Sequence, residues 1–316
     1  MTVSVIIPVK NRKLLLRRTL KNVLAQTLTP TEVIVVDDHS DESLEELKWE
    51  FKDKVIFVTS DGRGPGAARN TGFRKSTGKY IQFFDSDDLM SLDKLETQVA
   101  ILEKSGRGMT YCTYVKAFET ESGEWVQQDD FMYYYPIPGK LRYDQQVLRG
   151  ANMITQACLF TRELLLHIGP WREDLMPHED LDFMFRVGRY ETSPVHSNQP
   201  FVLYRQHKNQ ITDKEISTEK RDRDALKAHT ILLSMMLSSG NYSYMDFKYI
   251  KSSIYHDCML LKIKSKEATF ADKCFYYLYQ IQKKIYRKLN STLWAKYNAV
   301  STDKKIFAHY ISKLDY

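Results

Sequence analysis

Tyr80-Ile81-Gln82-Phe83-Phe84-Asp85-Ser86-Asp87-Asp88 is a β-rich apolar run that ends abruptly in three carboxylates within four residues. A buried strand that delivers acidic side chains at its carboxyl end is how an open α/β sheet presents a metal or nucleotide site. Carboxylates this close repel one another unless a cation sits among them, and hard oxygen ligands favour Mg²⁺ or Mn²⁺. The plainer reading is that Asp88 or Ser91 caps a helix over Leu92 to Leu102, leaving the other acids solvated.

The residues before this stretch alternate strand and helix signals. Val3 to Val9, Glu32 to Val36, Val55 to Thr59 and Tyr80 to Phe84 are short and apolar. Leu14 to Leu28, Ser43 to Phe51 and Ala67 to Ser76 have helical spacing. Such alternation, with strands apolar throughout, predicts an α/β fold: a mostly parallel sheet with helices on both faces. Polar groups recur where strands end, at Pro8 and Asn11-Arg12, at Asp37-Asp38-His39-Ser40 and at Asp85 to Asp88. That edge is where such sheets bind ligands.

Farther on, residues 107–213 read as mixed strand and helix. Met109 to Phe118, Ala157 to Phe160 and Pro200 to Tyr204 are expected strands; Glu163 to Ile168 and Leu181 to Tyr190 are expected helices. From about Ile216 the pattern is helical and contains no proline. A length of 316 residues gives a prior of two domains. We expect a unit over 1–213, with a nucleotide-sugar half (1–104) and an acceptor half (105–213), followed by a basic, mainly helical region (214–316).

Cys112, Cys158, Cys258 and Cys274 are scattered and form no C-x-x-C pair. Neither a zinc site nor a disulfide framework is indicated, which fits a reducing cytoplasm. The first residues read as a strand rather than a basic leader, and no run approaches the roughly 18 apolar residues that span a bilayer. The net charge of +6 is uneven: residues 214–316 carry 19 Lys/Arg against 10 Asp/Glu, and the remainder 27 against 30. The basic excess therefore belongs to the tail. Its Tyr- and Lys-rich segments, such as Tyr276 to Tyr279 and Lys283 to Lys288, suit an anionic membrane surface, or packing and oligomerisation. No groove-reading motif supports nucleic acid.

Pro8, Asn11, Asp38, Arg69 and the acidic cluster assemble into one nucleotide site. Asp38 can accept the imide N–H of uracil, or an amino group of another base. The planar fork of Arg69 suits a diphosphate. A divalent cation on Asp87 or Asp88 would neutralise the remaining phosphate charge and help that group leave. Gly62-Arg63-Gly64-Pro65-Gly66 lacks the Lys-Ser/Thr of a Walker loop and reads as a turn that sets the helix carrying Arg69.

Val5-Ile6-Ile7-Pro8-Val9-Lys10-Asn11-Arg12, Gln26-Thr27, Glu32 to Ser40, Gly64 to Gly72, Gly78 to Ile81 and Asp85-Ser86-Asp87-Asp88 together resemble the successive signatures of glycosyltransferase family 2. The resemblance implies a GT-A fold and an inverting transfer from a nucleotide-diphosphate sugar, with Pro8, Val9, Asn11, Asp38, Arg69, Asp85, Ser86 and Asp87 around the donor. His178-Glu179-Asp180-Leu181-Asp182 is similar to the family's acidic motif, which makes Asp180 the base and Glu179 its support or an acceptor contact, with Asp182 a second candidate base. Tyr204-Arg205-Gln206-His207 resembles a later segment whose histidine, here His207, completes the shell of a metal on Asp87 and Asp88 or contacts the diphosphate. Lys10 departs from the aromatic residue common in the family. The expected partners are a UDP-sugar and a glycan or lipid-linked acceptor, with Mn²⁺ or Mg²⁺ as cofactor, in a cytoplasmic protein peripheral on the membrane. Aromatic residues between Glu119 and Arg149 (Trp125, Phe131, Tyr133, Tyr134, Tyr135) are candidates for stacking on acceptor sugars. The competing readings are a sugar-nucleotide pyrophosphorylase, disfavoured because no Gly-rich basic loop follows the first strand, and a catalytically silent glycan-binding subunit.

Overall fold

The computed structural model describes residues 1–127, 141–149, 153–207, 218–274, 276–278, 280–281 and 314. Four parallel strands form its amino-terminal half: β1 (Val3–Val9), β2 (Glu32–Asp37), β3 (Ile56–Thr59) and β4 (Tyr80–Phe83), in the spatial order 3-2-1-4. The sheet continues through β8 (Cys158–Thr161), β6 (Met109–Glu119), β9 (Val195–Arg205) and β5 (Leu89–Met90), while β7 (Trp125–Gln127) pairs with β6. β8 runs antiparallel to β4 and β6, and β9 runs parallel to β6. The sheet is mixed and mostly parallel in its first half, as the alternation of signals predicts.

Strand pleat divides the core in two. Val5, Ile7, Val9, Val33 and Val35 face one side, with Leu16, Leu20 and Val23 of α1 (Lys13–Leu24) and Leu95, Val99 and Leu102 of α4 (Lys94–Ser105). Ile6, Ile34, Val36 and Phe83 face the other, against α3 (Pro65–Lys75) and α7 (Glu179–Tyr190). Helices α2 (Glu45–Glu50), α5 (Tyr143–Leu148) and α6 (Arg162–Ile168) complete the layers. α5 lies so close on α7 that a Cβ on Gly188 would stand 2.5 Å from the backbone nitrogen of Asp144.

The described part of the basic region forms two long helices, α8 (Thr218–Ser239) and α9 (Tyr244–Lys264). Leu232 and Met236 of α8 and Ile250 of α9 are buried in the same cluster as Phe183 and Ile6. Asp246 of α9 accepts hydrogen bonds from Arg149 and Gln145 near α5 (2.7 and 2.9 Å). Lys227 pairs with Asp174 (2.8 Å), and Asp224 accepts the Met176 N–H (3.2 Å), so α8 braces the segment that leads into α7. Phe131, Tyr133 to Tyr135 and Lys283 to Lys288 lie outside the described residues.

Several element ends differ from the sequence expectation. Neither Asp88 nor Ser91 caps α4; Asp93 holds that position. The Ser91 hydroxyl instead accepts the Phe201 N–H (3.1 Å). β9 begins at Val195 rather than Pro200, passing a register shift opposite Cys112 and Thr113.

Lys94 is fully buried, with its ammonium on Gln98 Oε1 (2.7 Å) and Gln82 Oε1. Burial pushes its pKa down from 10.5 to about 8. Between those values the unfolded chain holds a proton that the folded chain has released, so stability rises with pH. Full release of that proton is worth roughly 3 kcal/mol, at about 1.36 kcal/mol per pH unit of separation. Urea unfolding at pH 8 and 10 should show about two thirds of this gain in the native protein relative to Lys94→Met. Parallel pH dependence in the two proteins would refute it.

Candidate functional site

The carboxyl ends of β1, β2 and β4 open onto one cavity, closed on its far side by residues 154–156 and by the start of α7. Pro8, Val9, Asp38, Arg69, Asp85, Ser86, Asp87, Glu179 and Asp180 all line it. Asn11, Asp88 and His207 do not.

Why the acidic loop keeps its shape is visible in α1. Thr19 and Asn22, one turn apart on the same face of α1, and Gln26, just past the end of that helix, are buried and polar. Thr19 Oγ1 donates to the carbonyls of Ser86 and Asp88 (3.0 and 2.9 Å). Asn22 donates to Met90 O and accepts its N–H, and Gln26 does the same for Ser91 O and Leu95 N. Backbone groups that would be costly to bury unpaired are thereby satisfied, and the carboxylates are held at the strand end.

Each carboxylate then has named partners. Asp87 Oδ2 accepts from Arg12 Nη1 (2.8 Å) and is 2.9 Å from His207 Nε2. Asp88 accepts from the Arg205 N–H (2.9 Å) and from Gln156 Nε2 (3.0 Å). Asp85 accepts from Arg69 (3.0 Å) and from the same Gln156 amide (2.5 Å). Ligand oxygens from Asp85, Asp87 and Asp88 lie within 4.8 Å of one another. An all-oxygen set of this size fits Mg²⁺ or Mn²⁺. His207 stands beside that set, with its Nε2 bonded to Asp87 Oδ2.

Electrostatics separate the three. Burial, reinforced by the charges of Asp87 and Asp85, pushes Asp88 well above the usual carboxylate range. Burial also raises Asp85. It opposes the charge of Asp87 too, but the His207 hydrogen bond and the Arg12 guanidinium hold that group below its ordinary value. A cation added here would replace a mutual repulsion by attraction to all three.

Arg69 joins the two walls. It pairs with Asp85 on one side and with Glu179 Oε1 (3.3 Å) on the other, and its guanidinium stacks 4.6 Å from the Trp171 ring. Trp171 is in turn stacked flat on Phe183 of α7, with ring centres 3.7 Å apart. The next residue, Asn70, donates to Trp171 O and accepts its N–H (3.0 and 2.9 Å), which anchors the chain entering α7 to α3. That chain passes a cis Met176–Pro177 bond and then His178 at φ +88°. Glu179 follows, buried and raised by that burial, and then Asp180, exposed at the cavity. Asp182 faces elsewhere: it is almost fully buried and accepts two hydrogen bonds from Arg186 (2.9 and 2.7 Å).

Two expected donor residues have internal tasks. Asn11, at φ +53°, ties the β1 and β2 loops together through Asp41, accepting its N–H (2.7 Å). Asp38 accepts the Gly64 N–H with both oxygens (2.9 and 3.0 Å), fixing the turn that starts α3. Gly64 sits there at φ +92°, a conformation that favours glycine. Asp38 remains in the cavity wall, and burial raises its pKa. Sequence reasoning gave no role to Gln156 or Trp171, and it quoted Arg12 and Tyr204 only within longer segments. Arg12 adjoins Asn11 and Trp171 follows Gly169-Pro170, whereas Gln156 carries no local signal at all.

Comparison with known proteins agrees with this geometry. The family model described as glycosyl transferase family 2 matches residues 4–169. An uncharacterized glycosyltransferase of Rickettsia bellii is 42% identical over 127 residues, covering 40% of this chain and 18% of that protein. The chain thus spans about a fifth of the length of the first curated relatives it matches. The UDP-Glc:α-D-GlcNAc-diphosphoundecaprenol β-1,3-glucosyltransferase of Escherichia coli is 25% identical over 227 residues, covering 71% of this chain and 85% of that one. Among solved structures, S. aureus TarS 1-349 in complex with UDP-GlcNAc superposes with a TM-score of 0.59 at 16% identity, over 88% of this chain and 79% of that one. The fold is GT-A.

Proposed function

The chain belongs to glycosyl transferase family 2, and we propose that it is an inverting, metal-dependent transferase of a sugar from a UDP-sugar to a hydroxyl of a glycan or lipid-linked glycan. One observation carries this reading: Asp38, the Asp85–Asp87 cluster and Asp180, from three separate elements, converge on one cavity. A carboxylate has acceptor capacity beyond the Gly64 amide, so Asp38 can take the imide N–H of uracil. Asp85, Asp87 and Asp88 would hold Mn²⁺ or Mg²⁺, which stabilises a diphosphate leaving group as a Lewis acid. Arg12 and Arg69 add guanidinium forks on the phosphate side.

Asp180 is the proposed base. In a single displacement one carboxylate takes the acceptor hydroxyl's proton as its oxygen attacks the anomeric carbon, with inversion. Exposure of Asp180 at the cavity lets an acceptor reach it, while Glu179, held by Arg69, fixes the first turn of α7. The acceptor class rests on the E. coli relative, whose name specifies a diphosphoundecaprenol-linked sugar.

A panel of nucleotide sugars, scored by thermal stabilisation with and without Mn²⁺, tests the donor. A ligand that binds only the folded state raises apparent stability by mass action. UDP-sugars should stabilise the protein, and more so with metal. Preference for a purine-nucleotide sugar such as a GDP-sugar would overturn the uracil assignment of Asp38.

No helix among the described residues is long and apolar enough to cross a membrane. Peripheral contact is nonetheless supported by α9. Tyr244, Lys248, Lys251, Tyr255 and Lys262 are all exposed, and at 3.6 residues per turn they fall within about 60° of one face. Tyrosine rings and snorkelling lysines suit an anionic headgroup layer. The full-length chain is expected to sediment with anionic but not zwitterionic vesicles. That binding should fade at 1 M salt, where the Debye length is about 3 Å. Indifference to anionic vesicles at low salt would reassign the basic region to packing.

A further inference from the structure

Arg12 and His207 converge on a single oxygen, Oδ2 of Asp87, at 2.8 and 2.9 Å. Arg12 also lines the cavity, whereas His207 does not. The other cavity guanidinium, Arg69, is fixed by Asp85, by Glu179 and by its stack on Trp171. Arg12 instead comes from the loop between β1 and α1, at the residue just before the helix.

A divalent cation on Asp87 draws on the same negative charge as Arg12. Holding both at one carboxylate, largely shielded from water, brings positive charges together where they are weakly screened. The diphosphate of a donor entering this cavity offers oxygens that match a guanidinium fork.

We propose that Arg12 is an internal counter-charge that leaves Asp87 when a divalent cation binds there, and that the donor diphosphate receives it. This rests on the metal and donor reading above. Arg12 would thereby couple the two ligands: metal binds weakly alone and strongly with nucleotide. By linkage, the nucleotide gains the same factor from the metal. The device favours assembly of the metal with its diphosphate over capture of either alone.

The test titrates the full-length protein with Mn²⁺, following the free-ion electron paramagnetic resonance signal, with and without saturating UDP. Native protein should bind Mn²⁺ at least about tenfold more tightly with UDP. Arg12→Gln, which keeps polarity and removes the charge, should bind Mn²⁺ about tenfold more tightly than native protein in the absence of UDP. It should also gain less from UDP. Arg12→Lys, which retains the charge, should behave as native. Native protein whose Mn²⁺ affinity ignores UDP would overturn the proposal whether or not Arg12→Gln folds. So would a folded Arg12→Gln protein whose UDP-free Mn²⁺ affinity equals or falls below the native one. Failure of native protein to bind Mn²⁺ even with saturating UDP would overturn the metal reading together with this proposal.

Discussion

Asp180→Asn is expected to slow transfer by about 10²–10⁴-fold, the usual range for loss of a general base, while donor affinity stays nearly constant. The substitution preserves size and hydrogen-bonding reach but removes the proton acceptor. Its carboxylate accepts the neighbouring Leu181 N–H (2.8 Å), a bond that an Asn oxygen also makes, so the turn should survive. A single-turnover assay with saturating donor checks the rate, and calorimetry with UDP checks the binding. Retention of most of the turnover would shift the base role to Glu179. Asp182 is a poor substitute because Arg186 clamps it away from the cavity.

Asp87→Asn should cost transfer roughly 10²–10³-fold, since Lewis-acid stabilisation is worth several kcal/mol. UDP affinity measured with Mn²⁺ should fall to the value measured without it. Asparagine keeps the shape and one acceptor oxygen for Arg12 and His207, which avoids leaving two donors facing an apolar side chain. Equal UDP affinity with and without Mn²⁺ in the native protein would remove the metal from the site altogether.

The fold's first half was legible because β1, β2 and β4 are apolar on both faces, so their runs show without context. β9 was read short because Ser197, Asn198 and Gln199 look like loop. Ser197 is buried all the same, donating to Tyr111 O (2.8 Å), and the register shift opposite Cys112 absorbs the irregularity. The two-residue β5 leaves no pattern to read. At the site, Asp38, Asp85 to Asp87 and Asp180 stood out as acids at strand or helix ends. Their partners did not, because a buried polar residue shows its purpose only through what it meets. Gln156 bridges Asp85 and Asp88 from about seventy residues away, and Thr19 reaches equally far. Tertiary pairing of this kind has no local period.

The acidic loop borrows its final two partners, the Arg205 amide and His207, from the end of β9. Those contacts span 117 and 120 residues. Closure over such separations comes late in assembly, because the entropy of the intervening chain must be lost first. A ribosome makes residues 1–100 well before residue 207, so the β1–β4 half can emerge and pair while three carboxylates stand at its edge without their last two donors. Completion of the acidic loop therefore waits on residues 205 and 207 and is not an early property of the β1–β4 strands.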